Sequence, residues 1–430
     1  MVRVLICALW GMSRPGPEPL VSGLILLLWC MVLILLGFRR FAAFETRSGA
    51  LTMRHKNTVF HDLINHVPWG EFERLVGLHG SDRRVRRLDS KSQFLAVLFG
   101  QVSGADSLRA IEAGMASQRS RLYHLGGRVP ARSTLADANA RRPAALYRDL
   151  LVHMTRAADR RTRRHMRKPM RILDATRIRL PGPMKDWKGG ACGTPAIKLH
   201  TVYDPDMAAP VEASVTSSLV NDITPAKDLK ILPDAIYVFD LGYYSFDWWA
   251  RLHDAGAVFV TRLKRPTRLC DVNERTPPEG IIAERTGRLA GQNGRVMTHR
   301  LREITVAIST GTTIRIATND LDRPASEIAA LYKDRWQIET FFKWIKQNLN
   351  IKRFLGKSQN AVETQIYIAL IAHILIRRAH TIQTVIHRTS AFTKLIAMNL
   401  WQRRPITALD KPPPTPPTDP RQTEMEFGIG

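Results

Sequence analysis

Apolar residues follow two different spacings along the chain and divide it into a helical first part and a mixed second part. Segments 71–76 and 92–99 carry apolar side chains every three to four residues, which predicts helices within 53–168. From Met170 the sequence alternates (MRILDATRIRL), and this alternation predicts a strand. Two β-rich runs flank Asp204-Pro205-Asp206, so we expect a hairpin there.

The second part continues as alternating strands and helices. Strands are predicted at 235–240 and 257–265, separated by an amphipathic helix that stops at Gly256, and a short helix is predicted at 225–232. Residues 266–310 break this order with prolines and glycines, and we interpret them as a β-rich insertion. The overall pattern is typical of an α/β layer.

The remaining elements complete the predicted organisation. A core strand at 312–320 is followed by a long helical segment at 325–350 and a second apolar helix. We therefore predict a helical domain at 53–168, an α/β domain at 169–400 and a Pro-rich, disordered tail at 401–430.

The charge balance indicates a polyanionic partner. The chain has 64 Lys and Arg against 38 Asp and Glu, a formal net charge of +26. Such an excess is typical of proteins that bind nucleic acid, because each phosphate that they neutralise releases counterions. The segment from Arg119 to Lys168 holds 14 basic and 3 acidic residues. This density favours a DNA-binding role for the helical domain over a merely solvated helix face.

Residues 1–52 differ from the rest of the chain. Positions 20–38 carry no charge and are about long enough to span a bilayer. A membrane anchor, a signal peptide and a start placed too far upstream would each explain this segment. Because the sequence becomes polar at Met53, we predict that Met53 is the true first residue and that the protein is cytoplasmic and nucleoid-associated.

Two aspartates lie at apolar strands of the α/β domain. Asp174 follows Ile172 and Leu173, and Asp240 ends a strand that includes Phe239. A carboxylate among such neighbours is costly unless it is paired or bound to a metal ion. Two such strands and a third carboxylate from a later helix can supply oxygen ligands for two Mg²⁺ ions, which catalyse phosphoryl transfer.

A polar stripe on the long predicted helix supplies that third carboxylate. Tyr332, Arg335, Glu339 and Lys346 are spaced so that they share one face of an α-helix. A carboxylate can bind a metal ion, while the arginine and lysine can hold phosphate oxygens. Ion pairs along a solvated helix face are the alternative.

These residues resemble the DDE transposases of bacterial insertion sequences, in particular the insertion sequence 4 family. The family signature is Tyr, Arg, Glu and Lys with two, three and six intervening residues, and Tyr332, Arg335, Glu339 and Lys346 match it. The family's first aspartate corresponds to Asp174. Its second, in an Asp-x-Gly-Tyr context, corresponds to Asp240-Leu241-Gly242-Tyr243. The resemblance covers about residues 53–400.

The resemblance implies a fold and a set of residue roles. The expected fold class is α/β, with a ribonuclease-H-like mixed sheet core, a β-rich insertion and a preceding all-helical domain. Asp174, Asp240 and Glu339 would be the catalytic residues and the ligands of Mg²⁺, for which Mn²⁺ can substitute. Tyr332, Arg335 and Lys346 would contact DNA phosphates.

The resemblance also implies partners and a reaction. The expected partners are double-stranded DNA, as terminal inverted repeats and target DNA, and a second copy of the chain in a synaptic complex. The expected reaction is cleavage at the repeats followed by strand transfer. Family members often carry a His-Asp pair where this chain has Asn221-Asp222, and we assign that position no role. We expect His200 to be a surface or packing residue.

Three other functions remain open on sequence grounds. The chain could be an inactive protein that binds the ends of a decayed element, although all three carboxylates are present. It could be a metal-dependent nuclease of the same fold that cuts without joining. A membrane-anchored protein would explain residues 20–38 and nothing else. An active transposase explains the most residues and is the leading prediction.

Overall fold

The computed structural model describes residues 57–163, 168–180, 195–290, 296–307 and 311–412, with only the backbone described for 157–163. The described residues belong to one compact unit, Lys56–Gly430. The predicted start at Met53 and the apolar segment 20–38 lie outside the described residues. Within the described ranges, no helix is long and apolar enough to cross a bilayer.

The first part of the chain is helical, as the three-to-four spacing predicts. Its helices are α1 (Val59–Ile64), α2 (Trp69–Leu78), α3 (Ser90–Ser103), α4 (Leu108–Ala116), α5 (Arg119–Leu122), α6 (Arg132–Arg141) and α7 (Ala145–Arg163). Polar caps define several starts: the Asp89 side chain, for example, accepts a hydrogen bond from the backbone N–H of Ser92. Gly104 ends α3 in the left-handed conformation that glycine adopts without strain.

The second part is built on a mixed β-sheet. Its core strands are β1 (Met170–Arg179), β2 (Ala196–Asp204), β3 (Ala209–Ser217), β4 (Ile236–Phe239) and β5 (Val258–Arg262). They lie in the order β3-β2-β1-β4-β5, with β1, β4 and β5 parallel and the β2–β3 hairpin antiparallel. This arrangement confirms the predicted ribonuclease-H-like α/β core.

The predicted β-rich insertion extends the same sheet. It contains β6 (Arg268–Arg275), β7 (Ala283–Ala290) and β8 (Val296–Ala307), and β9 (Thr313–Thr318) pairs with both β8 and β5. The nine strands that the structure describes therefore form one sheet, with β3 and β6 at its edges.

Helices cover both faces of the sheet. They are α8 (Ile223–Ala226), α9 (Phe246–Asp254), α10 (Ala325–Lys333), α11 (Trp336–Asn348), α12 (Gln359–Ile382) and α13 (Thr389–Asn399). Alternate residues of β1 and β4 enter different cores: Ile172 and Val238 pack with α11 and α12, whereas Leu173 and Phe239 pack with α9. Residues from α1 to α7 share the first of these cores.

Two segments differ from the sequence-based expectation. The helix predicted at 225–232 is only α8, because the chain continues in turns in which the N–H groups of Asp228 and Leu229 donate three residues back. The predicted disordered tail does not begin at 401. Residues 401–412 fold back on α1, where the Asp62 carboxylate accepts a hydrogen bond from the N–H of Ile406.

Candidate functional site

The sheet places Asp174 and Asp240 side by side. Leu173 of β1 is the register partner of Phe239 of β4, so the two aspartates occupy the next positions on neighbouring parallel strands. Neighbouring strands are about 4.8 Å apart. Because side chains alternate along a strand, both carboxylates point to the face that carries α10 and α11.

Glu339 reaches this face from the first turn of α11. The sequence pattern predicted one continuous helix that includes Tyr332 and Lys346. The structure has two consecutive helices there instead. Helix α10 ends at Lys333 and α11 begins at Trp336. Between them the N–H groups of Arg335, Gln337 and Ile338 donate to the carbonyl groups three residues back, which tightens the turn without reversing the chain.

Arg335 lies between two of the predicted carboxylates. Its Nη2 is 2.7 Å from Oε1 of Glu339, and its Nη1 is 3.7 Å from Oδ2 of Asp174. The side chains of Arg335 and Asp174 are 15% and 18% exposed, so solvent screens this contact only in part. The Nε atom of Arg335 is buried and has no hydrogen-bond partner among the described residues. A buried guanidinium with an unused donor can donate a further hydrogen bond to an anionic oxygen.

The electrostatics of Asp174 reflect its crowded position. Burial raises the pKa of Asp174 to about 6, and the negative charges of Asp240 and Glu339 add to this rise. A hydrogen bond from the N–H of Ala175 and the positive charge of Arg335 lower the pKa, but they do not compensate for the burial. The site therefore concentrates negative charge that a cation would relieve.

Tyr332 and Lys346 also lie at this site. Tyr332 is half-buried, and burial raises the pKa of its phenol. Nζ of Lys346 donates to Oγ1 of Thr176 on β1 at 2.5 Å. Lys346 lines a cavity of about 480 Å³ together with Asp174, Thr176, Glu339, Lys343 and Lys352. Asp240 does not line this cavity, although its charge acts on Asp174.

Asp222, to which the sequence analysis gave no role, lies against the turn that carries Asp240. The N–H of Gly242 donates to Oδ1 of Asp240 at 2.8 Å. A Cβ atom on Gly242 would lie 3.0 Å from this oxygen and 3.0 Å from Oδ2 of Asp222. The other oxygen of Asp222 accepts from Nζ of Lys198 at 2.9 Å. Asp222 follows a loop, so only the family's His-Asp pair at this position could have indicated it.

His200 is a packing residue, one of the two roles expected for it. It is 6% exposed, and its Nε2 lies 2.7 Å from Oγ1 of Thr216. Burial lowers the pKa of His200 to about 4, so the ring is neutral at physiological pH. Its Nδ1 is 3.9 Å from Asp222. His200 therefore packs against Thr216 and Asp222, and Asp222 in turn lies against the turn that carries Asp240.

The donor set suits a hard divalent cation, although the side chains are not in a metal-binding arrangement. Three carboxylates from β1, β4 and α11 face the same region, and carboxylate oxygens are preferred ligands of Mg²⁺. Within the described ranges, no group of three His, Cys, Asp or Glu side chains is placed to hold a metal ion. The guanidinium of Arg335 lies between Asp174 and Glu339 and contacts both. The carboxylates are of the type that fits Mg²⁺, and an ion bound by Asp174 and Glu339 would have to replace their contacts with Arg335.

Two family models match the chain. A model described as a transposase DDE domain matches residues 165–375, which include Asp174, Asp240 and Glu339. A second model, a domain of unknown function, matches residues 55–128 in the helical part.

Individual relatives agree with the first model. A putative transposase, y4zB, of Sinorhizobium fredii is 40% identical over 295 residues, which are 67% of this chain and 83% of the relative. A probable transposase for insertion sequence element IS5377 of Geobacillus stearothermophilus is 28% identical, over 57% of this chain and 66% of the relative. Among solved structures, a piggyBac transposase synaptic complex with hairpin DNA aligns with a TM-score of 0.40 and 11% identity, over 86% of this chain and 84% of that one. The chain belongs to the DDE-domain transposases of bacterial insertion sequences.

Proposed function

We propose that this transposase binds the terminal inverted repeats of its own insertion sequence, cleaves DNA there and joins the released end to target DNA. Asp174, Asp240 and Glu339 are the proposed metal ligands, and Tyr332, Arg335 and Lys346 the proposed phosphate contacts. Mg²⁺ is the proposed ion, and Mn²⁺ can substitute for it. Two copies of the chain would hold the two ends of the element in a synaptic complex on the nucleoid.

One observation carries this proposal: carboxylates and the side chains of arginine and lysine lie together beside strands β1 and β4. Asp174 and Asp240 lie on adjacent strands. Glu339 contacts Arg335, which also contacts Asp174. Lys343, Lys346 and Lys352 line the cavity beside them. Carboxylates alone would repel DNA and lysines alone would not catalyse, whereas the combination suits a phosphodiester substrate.

The chain's own residues supply orientation and charge. The buried guanidinium of Arg335 has an unused Nε donor that is available to a phosphate oxygen. Lys346 donates a hydrogen bond to Thr176 of β1, so its ammonium group is positioned before DNA binds. Divalent ions, when bound by the three carboxylates, would activate the attacking oxygen and stabilise the leaving one.

The proposal is tested with the full chain and a DNA fragment that carries the element's terminal repeats. We expect strand cleavage at the repeat end in Mg²⁺, none in EDTA, and transfer of the cleaved strand into a supercoiled target plasmid. Denaturing gels separate the cleaved strand from the joined product. Binding without cleavage in Mg²⁺ or Mn²⁺ would favour an inactive end-binding protein. Cleavage without joining would favour a nuclease.

Replacing Gly242 by Ala should lower cleavage about tenfold and leave DNA binding unchanged. The new Cβ would lie 3.0 Å from carboxylate oxygens of both Asp222 and Asp240, which is too close for either to stay in place. Lys198 holds Asp222, so Asp240 is the group expected to move. Small displacements of a catalytic group can cost one to two orders of magnitude in rate, roughly. Single-turnover cleavage measures the effect.

Gly77→Ala is the matched control for this substitution. A Cβ on Gly77 would meet nothing within 4 Å, so the same chemical change should leave cleavage as it is. Equal rates for Gly242→Ala and the wild type would show that the Asp240 turn tolerates a shift. A second variant, Asp222→Asn, keeps the size of the side chain and removes its charge. It should lower cleavage less than Gly242→Ala, because nothing then pushes on Asp240.

A further inference from the structure

The loop between α2 and α3 exposes four arginines within five residues. Arg83, Arg84, Arg86 and Arg87 are all exposed, and so is Val85 between them. In the part of the chain that the structure describes, none of the four guanidinium groups has a hydrogen-bond acceptor or a carboxylate partner. The loop lies inside the segment that matches a domain of unknown function.

Several other exposed arginines of this protein are paired. Arg74 contacts Glu71 at 2.6 Å, Arg148 contacts Asp149 at 3.1 Å, and Arg353 contacts Asp106 at 3.3 Å. Arg288 pairs with Asp271 in the same way. The arginine loop, defined as residues 83–87, differs from these pairs because it places four exposed arginines without a carboxylate partner within five residues.

The loop is fixed at both ends. The Asp82 carboxylate accepts hydrogen bonds from the N–H and the hydroxyl of Ser90, both at 2.8 Å. At the other end, the buried guanidinium of Arg142 donates to the carbonyl of Leu88 and to Oε1 of Gln93. Arg84 has a φ of 63°, a left-handed conformation that costs a non-glycine residue about 1 kcal/mol or more. These contacts hold the unpaired arginines in place before any partner arrives.

We propose that the arginine loop binds the phosphate backbone of duplex DNA at a place separate from the catalytic cavity. This inference rests on the proposed end binding and names the surface for it. Arginine forks match phosphate oxygens in a bidentate manner. Val85 is the loop's one apolar residue, which leaves no apolar face for a bilayer, and no aromatic ring is present to stack unpaired bases.

Helix α3 connects the loop to the catalytic region and sets the spacing between them. It begins at Ser90, next to the loop, and Oε1 of Gln101 near its other end accepts from the N–H of Asn350. Lys352, two residues further on, lines the catalytic cavity. Ser90 and Gln101 are about 16 Å apart along the helix axis. This length corresponds to on the order of five base pairs, and we therefore expect one duplex to reach both places.

In the basic run from Arg119 to Lys168, on which the sequence-based expectation of DNA binding rested, three arginines are buried or engaged within the protein. Arg142 is buried, Arg121 donates to the carbonyl of Trp401 at 2.5 Å, and Arg148 is paired. The side chains of 157–163 lie outside the described residues. Arg119, Arg128, Arg132 and Arg141 are exposed but spread along the run, whereas the loop places four exposed arginines within five residues.

The test compares two fourfold variants of the full chain that lose the same charge. One changes Arg83, Arg84, Arg86 and Arg87 to Gln, and the other changes the paired arginines 74, 148, 288 and 353 to Gln. Fluorescence anisotropy measures affinity for a duplex bearing the terminal repeat between about 50 and 200 mM salt. The loop variant should bind at least about tenfold more weakly at 150 mM salt, and its salt slope should fall by about 2–4. The paired-arginine variant should change the slope by less than about one.

Backbone footprinting then locates the contact. Protections that disappear in the loop variant should lie on the order of five base pairs or more from the cleaved phosphate. An unchanged slope, or equal losses in the two variants, would overturn the assignment, because net charge alone would then account for binding. Failure of the proposed function is distinguishable, since it appears as wild-type binding without metal-dependent cleavage. All eight arginines are exposed, so unchanged thermal melting verifies that both variants fold.

Discussion

Asp174→Asn should reduce strand cleavage by at least about a thousandfold and, in the absence of divalent ions, make the protein more stable at pH 7.5. The loss of activity follows from the proposed metal site, because the amide is neutral and a far weaker ligand than a carboxylate. Asp240→Ala should lose cleavage to a similar extent. DNA binding should be retained in both variants, since neither aspartate is a proposed phosphate contact.

The gain in stability follows from the burial of Asp174. Its side chain is 18% exposed, and burial raises its pKa from 3.8 to about 6. A carboxyl group with a raised pKa favours the folded state below its unfolded value and loses that contribution as the pH rises through about 6. At pH 7.5 the ionised group therefore destabilises the fold by on the order of 2–3 kcal/mol. Asparagine removes this cost and can still accept from the N–H of Ala175.

Thermal melting of metal-free protein between pH 4 and 8 measures this effect. The advantage of the Asn variant should be largest above about pH 6 and should become small near pH 4, where Asp174 of the folded protein is protonated. Asp206→Asn is the control, because Asp206 is an exposed carboxylate in the β2–β3 turn. It should change neither cleavage nor the melting profile. An Asp174→Asn protein that cleaves at the wild-type rate would contradict the metal-ligand assignment.

The placement of Asp174 and Asp240 could be predicted from the sequence because it depends on local pattern. Each aspartate follows an apolar stretch of its strand, and parallel pairing of the two strands places equivalent positions side by side. The parallel pairing itself is a tertiary property, and the family resemblance supplied it. The helical spacing of Glu339 and Lys346 was equally local, because both residues lie in α11 and the break in the helix falls before them.

Charge pairing could not be predicted in the same way. Nothing in the sequence distinguishes Arg84, which has no partner among the described residues, from Arg142, which is buried and fixed to Leu88. The contact of Asp222 with the Gly242 turn joins residues twenty positions apart, and Asp222 itself lies in a loop that has no periodic pattern. Both depend on which side chains the completed fold leaves in reach of one another. A sequence count of arginines therefore does not show which of them are free to contact DNA.

Arg335→Ala should change metal binding and catalysis in opposite directions. In the metal-free protein the guanidinium neutralises both Glu339 and Asp174. Its removal leaves these carboxylates without their cation, so we expect Mn²⁺ to bind about tenfold more tightly. A unit charge 4 Å away contributes up to about 4 kcal/mol near a protein surface, and about 1.4 kcal/mol suffices for a tenfold change. Cleavage should nevertheless fall about a hundredfold, because the proposed phosphate contact is lost.

Electron paramagnetic resonance of free Mn²⁺ measures the first effect, and single-turnover cleavage at saturating Mn²⁺ measures the second. Repeat binding should also weaken, with the salt slope reduced by about one. Arg323→Ala is the control: Arg323 pairs with Asp320 just before α10 and contacts none of the three carboxylates. It should leave Mn²⁺ affinity unchanged.

Arg335→Lys separates the two roles of this side chain. Lysine keeps a positive charge near Glu339 but lacks the planar fork that can contact a carboxylate and a phosphate together. Mn²⁺ affinity should therefore stay near the wild-type value while cleavage remains low. If Arg335→Ala left Mn²⁺ affinity unchanged, Arg335 would not compete with metal ions. The absence of a metal-binding arrangement among the described carboxylates would then need another cause. Tighter metal binding with weaker catalysis would instead identify Arg335 as the cation that holds Glu339 until DNA and metal ions bind.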